Sequence, residues 1–359
     1  MVVSNNMGIP GAMISQIHTS VVLVSICIPV YNSASYLAQA IESALSQSYP
    51  DFEVLIVDDC STDGSTEIAA EYEQKDMRIR FVKNESNRGM VGNWNYCLEL
   101  AQGTYIRFLF GDDYFVADDA LARQVARLES HPEVSLISSA RLVVDEQGRV
   151  LETWQGFREL VSAEPVLVVQ ACLELFYRKE GKLKFGCLKN LIGEPSAVMF
   201  RKSQAMRGFN ADYRQLVDLE MWFHLLRQGH FSYIAEPLVA FRRHDAQQTV
   251  VNTQALVHIG EYLALVKENT SFAYPSLMPP FSTYVLISEC YRIVKLNKRD
   301  GFFTPDVVRV SLNRVISPLA YRLTFPLYLL LLPFYKLAVK VMGGWLTRYA
   351  CILPDNQHP

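Results

Sequence analysis

A chain of 359 residues, half hydrophobic and a fifth charged, has the makeup of a folded protein of one large or two ordinary domains. This excludes a disordered chain and a bundle of many membrane spans, and a formal net charge of −3 gives no electrostatic ground for wrapping nucleic acid. Seven scattered cysteines without a Cys-x-x-Cys pair make a poor disulfide framework and a poor zinc site, and read as reduced thiols in a cytosolic setting.

Residues 1–20 lack the basic start and apolar run of a secretion signal and read as a flexible extension. Val21 to Pro29 is an apolar, β-branched run, as expected of a strand buried on both faces of a parallel sheet. Apolar residues at helical spacing predict a helix over Ser35–Ser46, which Tyr49-Pro50 stops. Phe52–Val57 reads as a second strand, followed by the polar turn Asp58 to Gly64. A helix over Ser65–Gln74, a strand over Ile79–Val82, a helix over Gly92–Ala101 and a strand over Tyr105–Phe110 complete the alternation. Strands alternating with helices predict βαβ units and a mostly parallel α/β sheet.

Ligands of open α/β sheets bind outside the carboxyl ends of the strands. That rule puts Pro29-Val30-Tyr31-Asn32, Asp58-Asp59 and Asp112-Asp113 along one rim. Carboxylates at strand exits are costly to bury unless something cationic meets them, and hard oxygen ligands suit Mg²⁺ or Mn²⁺. Farther on, Leu142–Leu151 predicts a hairpin around Gln147-Gly148, and Pro195–Phe200 a short strand. Val217–Leu226 reads as an amphipathic helix and Phe231–Phe241 as extended chain.

Residues 251–320 read as mainly helical. Within 321–350, Leu323–Tyr335 is apolar except for Thr324 but is cut by two prolines, and falls short of the roughly 20 residues of a spanning helix. From Leu286 to Ala350 there are ten Lys/Arg against three Asp/Glu. Basic charge beside an apolar, aromatic stretch predicts contact with an anionic membrane surface, and a buried helical hairpin is the alternative.

The ordered pieces Val24–Asn32, Ala44–Gln47, Phe52–Ser61, Asn87–Gly89, Ala101–Ile106, Gly111–Asp113, Gly193–Arg201, Val217–Trp222 and Pro237–His244 resemble the family 2 glycosyltransferases. The resemblance implies a GT-A fold over residues 21–250 and transfer of a sugar from a nucleoside diphosphate donor. It implies that Asp59 accepts from the imide N–H of uracil or thymine while Pro29 and Tyr31 frame the base; capping of the next helix is the plainer reading of Asp58-Asp59. It makes Asp113 the metal carboxylate, with Asp112 toward the ribose and diphosphate. Where many members have Asp-x-Asp-Asp, this chain has Phe110-Gly-Asp-Asp, so one carboxylate is missing.

The same resemblance makes Asp218 the general base of an inverting reaction; without it, Asp218 is a carboxylate favoured by a helix N-terminus. His244 falls where a loop closes over the diphosphate, with a surface cluster of Arg242, Arg243 and His244 as the alternative; Glu194 and Trp222 are candidates to contact the acceptor, although an aromatic on an amphipathic helix is more often core. The expected partners are a nucleotide-sugar donor, a glycan or lipid-linked acceptor, and the cytoplasmic face of a membrane. A sugar-nucleotide nucleotidyltransferase needs a Gly-rich basic loop after the first strand, which Pro29-Val-Tyr-Asn is not. A degenerate scaffold subunit is opposed by the joint presence of Asp59, Asp113 and Asp218.

Overall fold

The computed structural model describes residues 23–173, 177–179, 182–184, 188–244, 258–273 and 351–354. Its strands are β1 (Val24–Val30), β2 (Phe52–Asp58), β3 (Ile79–Lys83), β4 (Tyr105–Phe108), β5 (Tyr114–Phe115), β6 (Val134–Val144), β7 (Val150–Trp154), β8 (Leu160–Ala163), β9 (Tyr177–Lys179), β10 (Lys182–Lys184), β11 (Met199–Arg201) and β12 (His230–Arg242). The helices are α1 (Ala34–Leu45), α2 (Ser65–Lys75), α3 (Gly89–Leu100), α4 (Ala120–Ser130), α5 (Pro165–Leu173), α6 (Val217–Leu226) and α7 (His258–Ala273).

One sheet runs β3-β2-β1-β4-β11-β6-β12-β5, with β7 on β6 and β8 on β12. The first four strands are parallel, and β11 enters antiparallel between β4 and β6. Alternation along each strand sorts side chains to two cores. Val24, Ile26, Ile28, Val54 and Ile56 pack with Leu37, Ile41 and Leu121 on one face. Cys27, Leu55 and Val57 pack with Trp94, Trp222 and Phe231 on the other. The result is helices on both faces of a mixed sheet, as a run of fully buried strands requires.

Register opens the site. Val30 pairs with Asp58, so β1 and β2 end together, whereas β4 leaves β1 after Cys27 pairs with Phe108. Pro29 therefore follows the point where β4 departs, where a missing N–H costs no ladder bond to that neighbour. The expected strand over Tyr105–Phe110 ends at Phe108 for the same reason. The predicted hairpin is β6–β7, turned by Gly148 at φ 79°.

Two expectations shift. The strand expected over Val21–Pro29 runs from Val24 to Val30, and residues 21–22 lie outside the described residues. Pro195–Phe200 is a single 3-10 turn over Pro195–Ala197 with strand resuming at Met199, because Glu194 O accepts from Ala197 N at 2.8 Å. Of the helical region expected over 251–320, α7 is described; the extension 1–20 and the membrane-contacting segment 321–350 lie outside the described residues. Among the described residues no helix is long and apolar enough to cross a membrane.

Candidate active site

A cleft of about 980 Å³ lies at the carboxyl ends of β1, β2 and β4. Pro29, Tyr31, Asp59, Asp112, Glu194, Asp218 and His244 all line it, and sequence reasoning had named each.

One wall of the cleft is built from two loops sewn together. Asn32 N donates to Ser61 Oγ, Thr62 N to Asn32 Oδ1, Ser33 N to Ser65 Oγ and Ala34 N to Asp63 Oδ2, each at 2.9 Å. Asn32 and Cys60 sit at positive φ, 53° and 66°, to make the two turns. Asp58 is consumed by its own turn: it accepts from Ser61 N at 3.1 Å and Thr66 Oγ1 at 2.8 Å, and from the Ser61 hydroxyl. Asp59 is held differently. Its Oδ1 accepts from Asn84 Nδ2 and from Arg88 N, both at 2.7 Å. Asn93 steadies Asn84 in turn, accepting its Nδ2 at 3.0 Å. The turn-capping role therefore belongs to Asp58, while Asp59 is oriented at the cleft. Tyr31, 57% exposed, stands over the mouth.

At the centre, Asp112 and Asp113, expected toward the diphosphate and as the metal carboxylate, face different ways. Asp113, 1% exposed, is turned away from the cleft; its Oδ1 accepts from Arg242 N at 3.0 Å. Burial, then the neighbouring Asp112, pushes its carboxyl well above the usual carboxylate range. Arg107 is its buried counter-charge, and the guanidinium finds no hydrogen-bond partner among the described residues. It rests 5.0 Å from the centre of the Phe115 ring, and burial lowers its pKa to about 9 despite Asp113.

Asp112 is the carboxylate that faces the cleft, with Oδ2 3.0 Å from His244 Nε2. Arg242 clamps this turn through Nε to Asp112 O at 3.0 Å and Nη2 to Gln39 Oε1 at 2.6 Å. Phe110, standing where the missing carboxylate would be, stacks on Trp94 at 5.0 Å and gives the cleft an aromatic wall.

Asp218 opens α6, half-buried at the cleft wall. Its Oδ1 accepts from Leu219 N and its Oδ2 from Asn190 Nδ2, each at 2.7 Å. Burial, with Glu194 adding to it against these hydrogen bonds, raises its pKa to about 7. Glu194 is ion-paired with Arg141, whose guanidinium is almost fully buried. Glu220 points elsewhere and holds Arg207 at 2.8 Å.

Trp222 does not reach the cleft. It is fully buried, packs on Phe200 at 5.8 Å, and donates from Nε1 to Gly193 O at 2.9 Å. Helical spacing puts it on the face of Asp218, but one turn deeper, under the loop that Asp218 borders. Its part is to fix that loop. Asn190, Arg141 and Asn84 were missed, because amides and arginines inside loops and strands carry no periodic signal.

The chain matches the sequence model described as Glycosyl transferase family 2 over residues 25–203. It is 31% identical over 211 residues to the putative teichuronic acid biosynthesis glycosyltransferase TuaG of Bacillus subtilis, covering 59% of this chain and 75% of that protein. It is 26% identical over 295 residues to the putative glycosyltransferase EpsE of the same organism, covering 77% and 96%. Among solved structures, S. aureus TarS 1-349 in complex with UDP-GlcNAc shares the fold at TM-score 0.59 and 16% identity, covering 82% of each chain. A GT-A sheet with its carboxylates gathered at the strand ends, and relatives of this closeness, make the chain a glycosyltransferase of family 2.

Proposed function

We propose that the protein moves a sugar from a UDP- or dTDP-sugar to a hydroxyl of a glycan or lipid-linked oligosaccharide, with inversion at the anomeric carbon. The observation that carries this reading is that Asp59, the Asp112–His244 pair and Asp218 line one cleft in that order from the base-side loops to α6. TarS was solved with UDP-GlcNAc, which agrees with a UDP-sugar donor, and TuaG is named for teichuronic acid biosynthesis, which agrees with a polysaccharide product.

Asp59 accepts from the imide N–H that uracil and thymine carry and cytosine lacks, while Pro29 and Tyr31 frame the base. For a divalent ion the fitting residues are Asp112 and His244 rather than Asp113. Their ligand atoms stand 3.0 Å apart, near the separation of adjacent positions around an octahedral ion with ligands at about 2.1 Å. Among the described residues no group of three or more His, Cys, Asp or Glu forms a complete cage. Mn²⁺ and Mg²⁺ sites commonly take further ligands from substrate phosphates and water. An ion held there would offset charge on the departing diphosphate.

Asp218 does the proton work. The acceptor oxygen forms its bond to the anomeric carbon as the bond to the diphosphate breaks, the electron pair leaving with the diphosphate. The hydroxyl proton passes to the Asp218 carboxylate, whose pKa of about 7 makes it a base matched to neutral pH. Attack from the Asp218 side, opposite the diphosphate, inverts the centre. The basic, apolar stretch near the C-terminus supports work at the cytoplasmic face of a membrane.

Calorimetric titration of the whole protein with UDP, dTDP, CDP and GDP in the presence of Mn²⁺ tests the reading. UDP or dTDP should bind at least about tenfold more tightly than CDP, since an unmatched buried acceptor costs more than 1 kcal/mol. Equal affinity for all four, or no binding, would overturn it.

A further inference from the structure

We propose that a groove beyond Asp218 seats a neutral saccharide unit of the acceptor, with Phe241 under the apolar face of the ring and Gln215 accepting one of its hydroxyls. This rests on the transferase reading above. A second cavity, about 750 Å³, shares Asp218, Glu194, Gln215, Phe241 and His244 with the donor cleft. The two spaces meet at Asp218, so ligands in each present their reacting atoms to one carboxylate. The far end of the groove is built from Trp154, Arg149 and Arg243, which the donor cleft does not use.

Three features point to a sugar. The floor is aromatic: Trp154 and Phe241 stack at 5.9 Å and 23°. Arg141 and Arg243 hold the Trp154 ring at 5.0 and 4.6 Å, so the partly exposed Phe241 is the ring presented at the junction. Sugar rings offer C–H faces to such a surface and hydroxyls at their edges.

Gln215 supplies the second feature. Its backbone N is fixed by Glu261 Oε2 at 2.9 Å, while its side-chain Oε1 is buried without a hydrogen-bond partner among the described residues. A buried acceptor in that state favours any ligand bearing a donor, and a hydroxyl is such a donor.

The third is charge. Arg149 is tied to Asp145 at 2.7 Å, Arg243 to Glu152 at 2.9 Å, and Arg141 to Glu194. Each guanidinium at the groove already has its carboxylate, so no surplus positive charge favours the phosphate of a lipid carrier or a polyol phosphate. The saccharide end of the acceptor, not a phosphate, is what this surface matches.

The test uses the full-length protein, Mn²⁺ and a UDP-sugar that it binds, with UDP release measured alone and with each of three probes: methyl glycosides, ribitol phosphate and a short-chain prenyl phosphate. At least one methyl glycoside should raise UDP release. That rise, taken relative to each variant's own rate without acceptor, should fall about tenfold in both Phe241→Leu and Gln215→Leu. The two substitutions lie on different elements and keep apolar volume, so a misfolded variant of one leaves the other to decide. Stimulation by the phosphate probes alone, or wild-type stimulation in both variants, would overturn the proposal. If the wild type binds no UDP- or dTDP-sugar, the transferase reading fails and takes this one with it; donor binding with unaltered stimulation overturns the groove alone.

Discussion

Asn190 holds Asp218: its Nδ2 donates to the carboxylate at 2.7 Å while its Oδ1 accepts from Gly193 N at 3.0 Å. A donor to the ionised form stabilises that form and restrains a carboxyl whose pKa burial pushes upward. Asn190→Asp keeps the acceptor for Gly193 but sets a second carboxylate against Asp218. The acid limb of the pH–rate profile should then move up by about one unit or more. Turnover at pH 7 should drop about tenfold and recover at higher pH. An unmoved limb would show that Asn190 only braces the loop.

In the wild type, kcat/KM should rise with pH to a plateau beyond about 7, because Asp218 works deprotonated. Glu194 adds to the upward shift and Arg141 opposes it. Glu194→Gln removes the first and releases the second, and both effects lower the Asp218 pKa. The midpoint should therefore fall; a rise would contradict this account of the electrostatics.

Asp218→Asn should abolish transfer while making the fold more stable at pH 8. The folded carboxyl titrates near 7 and the unfolded one near 4. Between those values the native state holds the extra proton, so stability drops as pH rises, and the full penalty persists above pH 7. Thermal melts should place the variant above wild type at pH 8 and level with it at pH 4. A variant less stable at pH 8 would refute the linkage.

Asp112→Asn and His244→Gln should each weaken Mn²⁺-dependent UDP binding and lower transfer by about a hundredfold, and EDTA should abolish both. Asp113→Asn should leave metal-dependent UDP binding nearly intact. The reverse ranking, with Asp113 decisive, would restore the order first expected from the sequence.

What Asp113→Asn should alter is stability. Burial holds the Asp113 carboxyl well above the unfolded value, so the native state keeps a proton that the unfolded chain releases, and stability falls as pH rises out of the carboxylate range. Asp113→Asn cannot ionise and should be at least as stable as wild type at neutral pH. Arg107→Met should stabilise the fold in urea denaturation, since its guanidinium is buried without a hydrogen-bond partner among the described residues and an apolar side chain suits the site beside Phe115. A destabilised Asp113→Asn would contradict the upward shift.

The sequence made the parallel half of the sheet legible because each strand there is a continuous apolar run and each helix carries its own spacing. α6 was read to the residue, and the cleft-lining carboxylates Asp59, Asp112 and Asp218 were all named. β6 gave no such run: Ser135, Ser138 and Ser139 interrupt it, though all are buried. The choice between Asp112 and Asp113 was beyond local pattern. Neighbours at the end of an extended segment face opposite ways, and the one turned inward is set by the amide of Arg242, 129 positions along the chain. Trp222, read as more often core than acceptor-facing, is core, since helical spacing gives a direction but not a depth.

The sewn loops at Asn32 and Cys60 bear on how a donor is chosen. Non-glycine residues at positive φ carry a conformational cost of about 1–2 kcal/mol each, met here by bonds running between the two turns. The wall proposed to take the base is thus assembled before any nucleotide arrives, and little ordering remains for the ligand to bring about. Selection among bases then falls to mismatch against a fixed surface rather than to failure of a loop to close. Loosening one seam, as in Asn32→Ala, would blur that selection as well as weaken binding, since a yielding pocket can adjust to the wrong base.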